Sequence, residues 1–187
     1  MDTGELPARA AAGDRAAFSD LMRETRSGLF RFVRRYVGDE QDALDLLQET
    51  YAAAWLAIRR YDPARPFEAW LRTIALNKCR DWSRRRVVRR LVRGVTDLST
   101  PEAMAIPDGS PSAEDQLDAA RAAIQLNHEI QRLPASLKAP LLLTAMEGRS
   151  HGETAEILSI SIKAVETRIG RARKMLASRM KAALDDR

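Results

Sequence analysis

The chain has 187 residues, a formal net charge of +5, 45% hydrophobic residues and only 5% aromatic residues. Its single cysteine, Cys79, excludes an internal disulfide framework and argues against a cysteine-based zinc site. No apolar signal segment follows Met1, and no apolar run reaches the roughly 18 residues of a membrane span. We therefore expect a cytoplasmic protein without membrane insertion.

The first part of the chain is predicted to form amphipathic helices. Apolar residues recur at helical spacing from Phe18 to Tyr36, and Gly38 ends that run. A second helix begins near Asp39 or Asp42 and ends in two arginines, which is the order of charges that the helix dipole favours. Two prolines then interrupt the pattern before a third helix begins.

The second of these helices carries an unusual outer face. Its predicted buried stripe is apolar and consists of Leu44, Leu47, Tyr51, Trp55 and Ile58. Asp42, Asp45 and Glu49 lie on the opposite side, and we expect Leu46 among them, with Ala53 and Leu56 nearby. An apolar residue ringed by carboxylates suits an interface with a basic partner. A plain solvated face is the alternative, whereas a carboxylate metal site would lack a supporting histidine or glycine loop.

The third helix turns from amphipathic to strongly basic. Six arginines lie in the ten residues from Arg84 to Arg93, a density that matches the phosphates of a nucleic acid. A solvated tail is the alternative. Aromatic rings near the proline loop are able to stack on unpaired bases, and four of them cluster there: Tyr61, Phe67, Trp70 and Trp82. We expect Phe67 and Trp82 to be core residues.

Residues 95–115 predict a flexible acidic linker between two lobes. This segment holds three prolines, five acidic residues and no lysine or arginine, whereas residues 1–94 and 116–187 are both net basic. Fully extended it would reach roughly 70 Å, and as a flexible coil about 25 Å. Two lobes on such a tether are able to occupy separate sites on one long ligand.

Residues 147–176 predict a helix-turn-helix. Ala155 is the small residue at the helix crossing, residues 159–161 form the turn, and Ile162, Val165 and Ile169 mark the buried face of the second helix. The opposite face presents Ser161, Lys163, Ala164, Thr167, Arg168 and Arg171. Such a face fits the major groove of DNA, where Arg reads guanine and Lys reaches phosphate. A helical hairpin with a solvated basic face is the alternative.

Two stretches together resemble a known family. "DALDLLQETYAAAWLAIRRYDPARPFEAWLRTIALNKCRDWSRRR" resembles region 2 of bacterial sigma factors of the extracytoplasmic-function group, and "LPASLKAPLLLTAMEGRSHGETAEILSISIKAVETRIGRARKML" is similar to their region 4. The resemblance implies an all-α fold with a region 2 domain at 1–94, the linker at 95–115 and a region 4 domain at 116–187.

The same resemblance implies a function. Such a protein binds core RNA polymerase through the β′ clamp helices and the β subunit, recognises the −10 and −35 elements of promoter DNA, and melts the promoter. It needs no cofactor or metal and catalyses no reaction of its own. An anti-sigma factor is a further expected partner.

The resemblance also implies roles for individual residues. Core polymerase is expected to bind Asp45, Leu46, Gln48 and Glu49. The −10 element, with a flipped base in the loop at 62–67, is expected to contact Asp62, Arg65, Phe67, Arg72, Thr73, Asn77, Arg80 and Arg84. The −35 duplex is expected to contact Ser161, Lys163, Thr167, Arg168 and Arg171.

Four residues depart from the family pattern in region 4. Ser159 stands where the turn usually has glycine, Thr154 replaces a typical isoleucine, His151 replaces a frequent tyrosine, and Pro140 interrupts an apolar helix. The main rival is a stand-alone helix-turn-helix regulator that binds promoters without polymerase. The basic faces disfavour an adaptor that sequesters partners. A nucleic-acid enzyme fits poorly because the chain has two histidines, one cysteine and no glycine-rich phosphate loop.

Overall fold

The computed structural model describes residues 5–93 and 113–185, and the regular structure in those ranges is helical. The first lobe consists of α1 (Glu5–Ala11), α2 (Arg15–Val37), α3 (Glu40–Ala57) and α4 (Phe67–Arg93), with a 3₁₀ turn at Ile58–Arg60. The second lobe consists of α5 (Ala113–Gln131), α6 (Ala135–Leu141), α7 (His151–Leu158) and α8 (Ile162–Asp185), with a π-helical turn at Leu142–Met146. The predicted all-helical, two-lobed fold is confirmed, and most of the predicted linker lies outside the described residues.

The helix ends of the first lobe lie where the sequence predicts them. Asp14 caps α2 by accepting hydrogen bonds from the backbone N–H groups of Ala16 and Ala17, at 2.9 and 3.0 Å. Gly38 ends α2 with a φ of 87°, which glycine adopts readily. Asp39 then caps α3. Helix α1 was not predicted, because its seven residues are too few to show a clear apolar period.

The second lobe packs against the end of α2 and supplies its missing hydrogen bonds. The last carbonyl groups of a helix have no partner inside it. Gln131 Nε2 donates to the Arg35 carbonyl at 2.5 Å, and Lys138 Nζ donates to the Tyr36 carbonyl at 3.2 Å. Lys138 is buried, which lowers its pKa to about 8. Apolar residues of both lobes join in one core around these contacts.

Pro140 has a structural consequence that shapes the rest of the second lobe. It is buried inside α6, and the helix widens into the π-helical turn just after it. Thr144 Oγ1 donates to the Pro140 carbonyl at 2.8 Å, which satisfies an acceptor in the widened segment. The segment ends at Gly148, as predicted, with a φ of 67°. Glu147 thereby projects from the end of the turn rather than from a regular helix.

The helix-turn-helix forms at the predicted place. Ser150 and Glu153 make a reciprocal capping box at the start of α7, and Ser161 Oγ accepts from the Ala164 N–H at the start of α8. Val165 and Ile169 are buried as expected. The prediction that Ile162 is buried is wrong: this residue is 51% exposed, because it lies in the first turn of α8.

Two other departures in this lobe have visible effects. Thr154 is fully buried, and within the described structure its hydroxyl has no hydrogen-bond partner. A buried hydroxyl without a partner is less favourable than the aliphatic carbons that isoleucine would place there. Ser159 ends α7 in the left-handed conformation, with φ 54° and ψ 49°, which residues other than glycine adopt at a cost.

We predict that Ser159→Gly stabilises the chain by up to about 1 kcal/mol, because glycine relieves the left-handed strain but gains entropy in the unfolded state. Denaturant titration followed by circular dichroism measures the change. Ser159→Ala is the matched control, because it removes the hydroxyl and keeps Cβ. Equal stability of the two variants would show that Ser159 is not strained.

Candidate functional site

The exposed face of α3 holds three of the four residues expected to bind polymerase. Asp45, Gln48 and Glu49 are exposed, and Lys78 on α4 lies 3.3 Å from a carboxylate oxygen of Glu49. The expectation that Leu46 lies among them is wrong, since it is only 2% exposed. Both α2 and α4 pack against α3, so its buried arc is wider than one stripe.

The exposed apolar residue on α3 is instead Leu56, which is 85% exposed. Helical spacing places it one turn after Ala52, and Ala52 lies three residues after Glu49. The face therefore does combine acidic groups with an apolar side chain: Leu56, expected near the acids, is exposed, whereas Leu46, expected among them, is buried. The composition that suits a protein interface is retained.

A groove between α2 and α3 adjoins this acidic face. Its floor is mostly apolar, and Arg23, Arg26 and Gln48 supply polar groups. The other lining residues are Phe18, Ser19, Met22, Leu44, Leu47, Tyr51, Ala52 and Trp55. Leu44 and Trp55, predicted to be in the core, are half-buried and line the groove. The sequence marked these residues as apolar but could not show that they would be left only half-buried by the helices the structure describes.

The loop at 62–67 rests on a cluster of aromatic rings. The ring centroids of Tyr61, Phe67 and Trp70 lie 5.2 to 5.6 Å apart. Tyr61 Oη donates to the Arg65 carbonyl at 2.5 Å, and Asp62 Oδ1 accepts from the Ala64 N–H at 3.0 Å. Asp62 and Arg65 are exposed, whereas Phe67 is buried, as is Trp82. Phe67 therefore supports the loop from below, and the exposed side chains lie on its rim.

Helix α4 divides the remaining −10 residues into a covered group and an accessible group. Arg72 Nε donates to Glu147 Oε2 at 2.6 Å, and Thr73 Oγ1 lies 3.0 Å from the Ala69 carbonyl of α4 and 3.3 Å from the Ile157 carbonyl. Glu147 and Ile157 belong to the second lobe. The accessible group begins one turn later: Asn77 and Arg84 are exposed, and Arg80 is half-buried. Side chains of the basic run beyond residue 87 lie outside the described residues.

The outer face of α8 carries the residues expected at the −35 element. Ser161, Lys163, Thr167 and Arg171 are exposed, and Arg168 is half-buried. Ile162 and Glu166 are exposed on the same helix. An apolar side chain is able to contact a thymine methyl, and a carboxylate is able to accept from cytosine. The predicted face is therefore present and broader than expected.

In residues 5–93 and 113–185, no three His, Cys, Asp or Glu side chains are grouped so that they could hold a metal ion. The only cysteine, Cys79, is buried, and burial raises the pKa of its thiol to about 12. No helix in the same ranges is long and apolar enough to cross a membrane.

Comparison with known proteins identifies both lobes. Residues 21–90 match the family model of sigma-70 region 2, and residues 123–176 match that of sigma-70 region 4. The RNA polymerase sigma factor CnrH of Cupriavidus metallidurans is 38% identical over 95% of this chain and 93% of its own length. The ECF RNA polymerase sigma factor SigM of Mycobacterium tuberculosis is 33% identical over 92% of this chain and 82% of its own.

A solved structure supports the same relationship. CnrH in complex with the cytosolic domain of CnrY matches 96% of this chain and 97% of its own, with 34% identity and a TM-score of 0.67. The similarity therefore extends across both lobes and is not limited to the helix-turn-helix.

Proposed function

Because the chain belongs to the extracytoplasmic-function group of the sigma-70 family, it is a sigma factor that directs transcription initiation by RNA polymerase, and we propose how its surfaces divide that work. The observation that carries the proposal is the separation of an acidic face on α3 from a basic face on α8. One surface suits a protein partner and the other suits DNA.

The acidic face of α3 is proposed to bind the β′ clamp helices of core polymerase. Asp45 and Glu49 supply charge, Gln48 connects them to the groove between α2 and α3, and Leu56 adds apolar area at the rim. A helix with basic and apolar residues fits this combination. The β subunit is a further proposed contact of the chain.

The loop at 62–67 and the face of α4 are proposed to bind the −10 element. Asp62 and Arg65 lie exposed on a loop that the aromatic cluster holds in place, which suits capture of a flipped base. Farther along α4, Asn77, Arg80 and Arg84 reach the melted strand. This capture would favour promoter melting, because the unstacked base gains new contacts with the protein.

The face of α8 is proposed to read the −35 element as duplex DNA. Lys163 and Arg171 provide charge for the backbone and bases, and Thr167 lies between them on the same side of the helix. This division explains why the helix-turn-helix is only half of the DNA-binding apparatus. The alternative, a stand-alone regulator, provides no binding partner for the acidic face of α3.

The protein is regulatory, and we propose that it catalyses no reaction and acts in the cytoplasm, where core polymerase works. An anti-sigma factor is its third partner. The similar protein CnrH is solved in complex with the cytosolic domain of CnrY, which supports such an assignment.

Transcription from reconstituted holoenzyme tests the function directly. The chain is mixed with core polymerase and promoter templates, and transcript starts are mapped. We expect starts at discrete positions that depend on the chain. Random initiation by a complex in which core binding has been shown, with no inhibitor present, would contradict the assignment.

We predict that the double variant Asp45→Lys and Glu49→Lys weakens core binding by at least about tenfold, because it reverses two charges that face a basic partner. Binding of labelled chain to core polymerase measures the effect. Glu24→Lys is the matched control, since Glu24 is an exposed acid on α2 outside the groove. Equal affinities of all three proteins would place the interface elsewhere.

We predict that Arg171→Ala weakens binding to a −35 duplex and lowers the slope of log affinity against log salt by about 1, because one phosphate contact is lost. Titrations of holoenzyme at several salt concentrations measure this slope. Lys181→Ala is the control, because Lys181 is an exposed base at the far end of α8. A slope reduced equally by both variants would indicate a non-specific charge effect.

A further inference from the structure

The contact between the lobes involves Arg72, which the sequence resemblance places at the −10 element. Arg72 and Glu147 form an ion pair whose side chains are only 9% and 12% exposed. Arg72 also lies over the ring of Phe32, 5.9 Å from its centroid. The guanidinium is therefore held between α2 and the second lobe and is not presented to solvent.

A second, outer ion pair flanks the first. Arg149 Nη2 lies 2.9 Å from Glu68 Oε2, and Arg149 Nε lies 3.6 Å from Glu147 Oε2. Glu68 is 58% exposed, so its pair is screened by water and contributes little. The inner pair differs, because removing one partner of a buried pair leaves the other charge uncompensated. Of these two ion pairs, the inner one is therefore the one whose loss should weaken closure of the lobes more.

The chemistry of the inner pair resembles that of a DNA contact. A carboxylate and a phosphate both offer negatively charged oxygens to a guanidinium, and Arg binds either one with charge-assisted hydrogen bonds. The Thr73 hydroxyl lies 3.0 Å from the Ala69 carbonyl of its own helix and 3.3 Å from the Ile157 carbonyl, so it depends on the second lobe less than Arg72 does. In the closed arrangement, the Arg72 guanidinium is not available to a nucleic acid.

The backbone places Glu147 for this contact. The π-helical turn that follows Pro140 ends here, with the Glu147 N–H donating to the Leu142 carbonyl at 3.2 Å. Gly148 then reverses the chain toward Arg149 and α7. The irregular segment thus directs one acidic side chain at α4 and a basic one beside it.

Resting on the proposed function, we propose that Glu147 is an internal substitute for a promoter phosphate, and that its pair with Arg72, which we call the latch, keeps the free chain autoinhibited toward −10 DNA. Separation of the lobes on core polymerase exposes Arg72. The polyanion and the carboxylate then compete for the same guanidinium, so closed and DNA-bound states exclude each other.

The test compares Glu147→Gln with Glu156→Gln in the full chain without polymerase. Glutamine keeps the size of the side chain and removes its charge, and Glu156 is an exposed acid on α7. The probe is a labelled single-stranded oligonucleotide with the −10 element of a promoter that the holoenzyme transcribes. Fluorescence anisotropy gives affinity, X-ray scattering gives the radius of gyration, and circular dichroism checks helix content.

We expect Glu147→Gln to enlarge the radius of gyration and to tighten oligonucleotide binding by about tenfold, since apparent affinity scales with the open fraction. Glu156→Gln should behave as wild type. Arg149→Gln, which removes the outer contact, should have a smaller effect in the same direction. It provides a second measurement if Glu147→Gln loses helix content.

If a folded Glu147→Gln chain binds the oligonucleotide with wild-type affinity, the latch is wrong, whether or not the lobes of that variant separate. The holoenzyme carrying Arg72→Gln shows whether a negative result means that the latch is wrong or that the proposed −10 site is wrong. If that holoenzyme loses −10 binding while free Glu147→Gln is unchanged, only the latch is wrong. If it binds as wild type, the assignment of Arg72 to DNA is wrong, and the latch is overturned with it.

Discussion

A buried charge requires a partner, and in this chain the partner of Arg72 comes from the other lobe. Arg72 and Glu147 are 75 residues apart in sequence and 2.6 Å apart in space. Taking either charge out of water is unfavourable unless the other accompanies it. The pair therefore ties the position of the π-helical turn and α7 to α4. The capping of α2 by Gln131 and Lys138 fixes the other end of the same interface.

Because this pair holds the lobes together, some of the proposed binding surfaces are open to a partner and others are covered. The acidic face of α3, the adjoining groove and the face of α8 are open in the packed arrangement. The inner part of α4 is covered. A partner is thus able to bind α3 before Arg72 becomes accessible, and opening of the lobes would link the two events. Under the proposed assignments, polymerase binding and DNA binding are coupled through this one interface.

Local features were predictable from sequence, and non-local ones were not. Asp14, Gly38 and Asp39 define helix ends through bonds and angles within a few residues of themselves. The burial of Leu46 depends on two helices packing on α3 at once, which a helical wheel does not represent. Arg72 and Thr73 contact residues far along the chain. The sequence therefore revealed the chemistry of these two side chains but not that the second lobe packs over them.

The separation of the lobes is measured most directly by energy transfer between dyes at Ser27→Cys on α2 and Ser178→Cys on α8, both exposed positions. The buried Cys79 should remain unlabelled. We predict high transfer in the free chain and a marked decrease in the holoenzyme bound to promoter DNA. Unchanged transfer in a holoenzyme that initiates at specific positions would show that the lobes need not separate, and would contradict the coupling derived from Arg72 and Glu147.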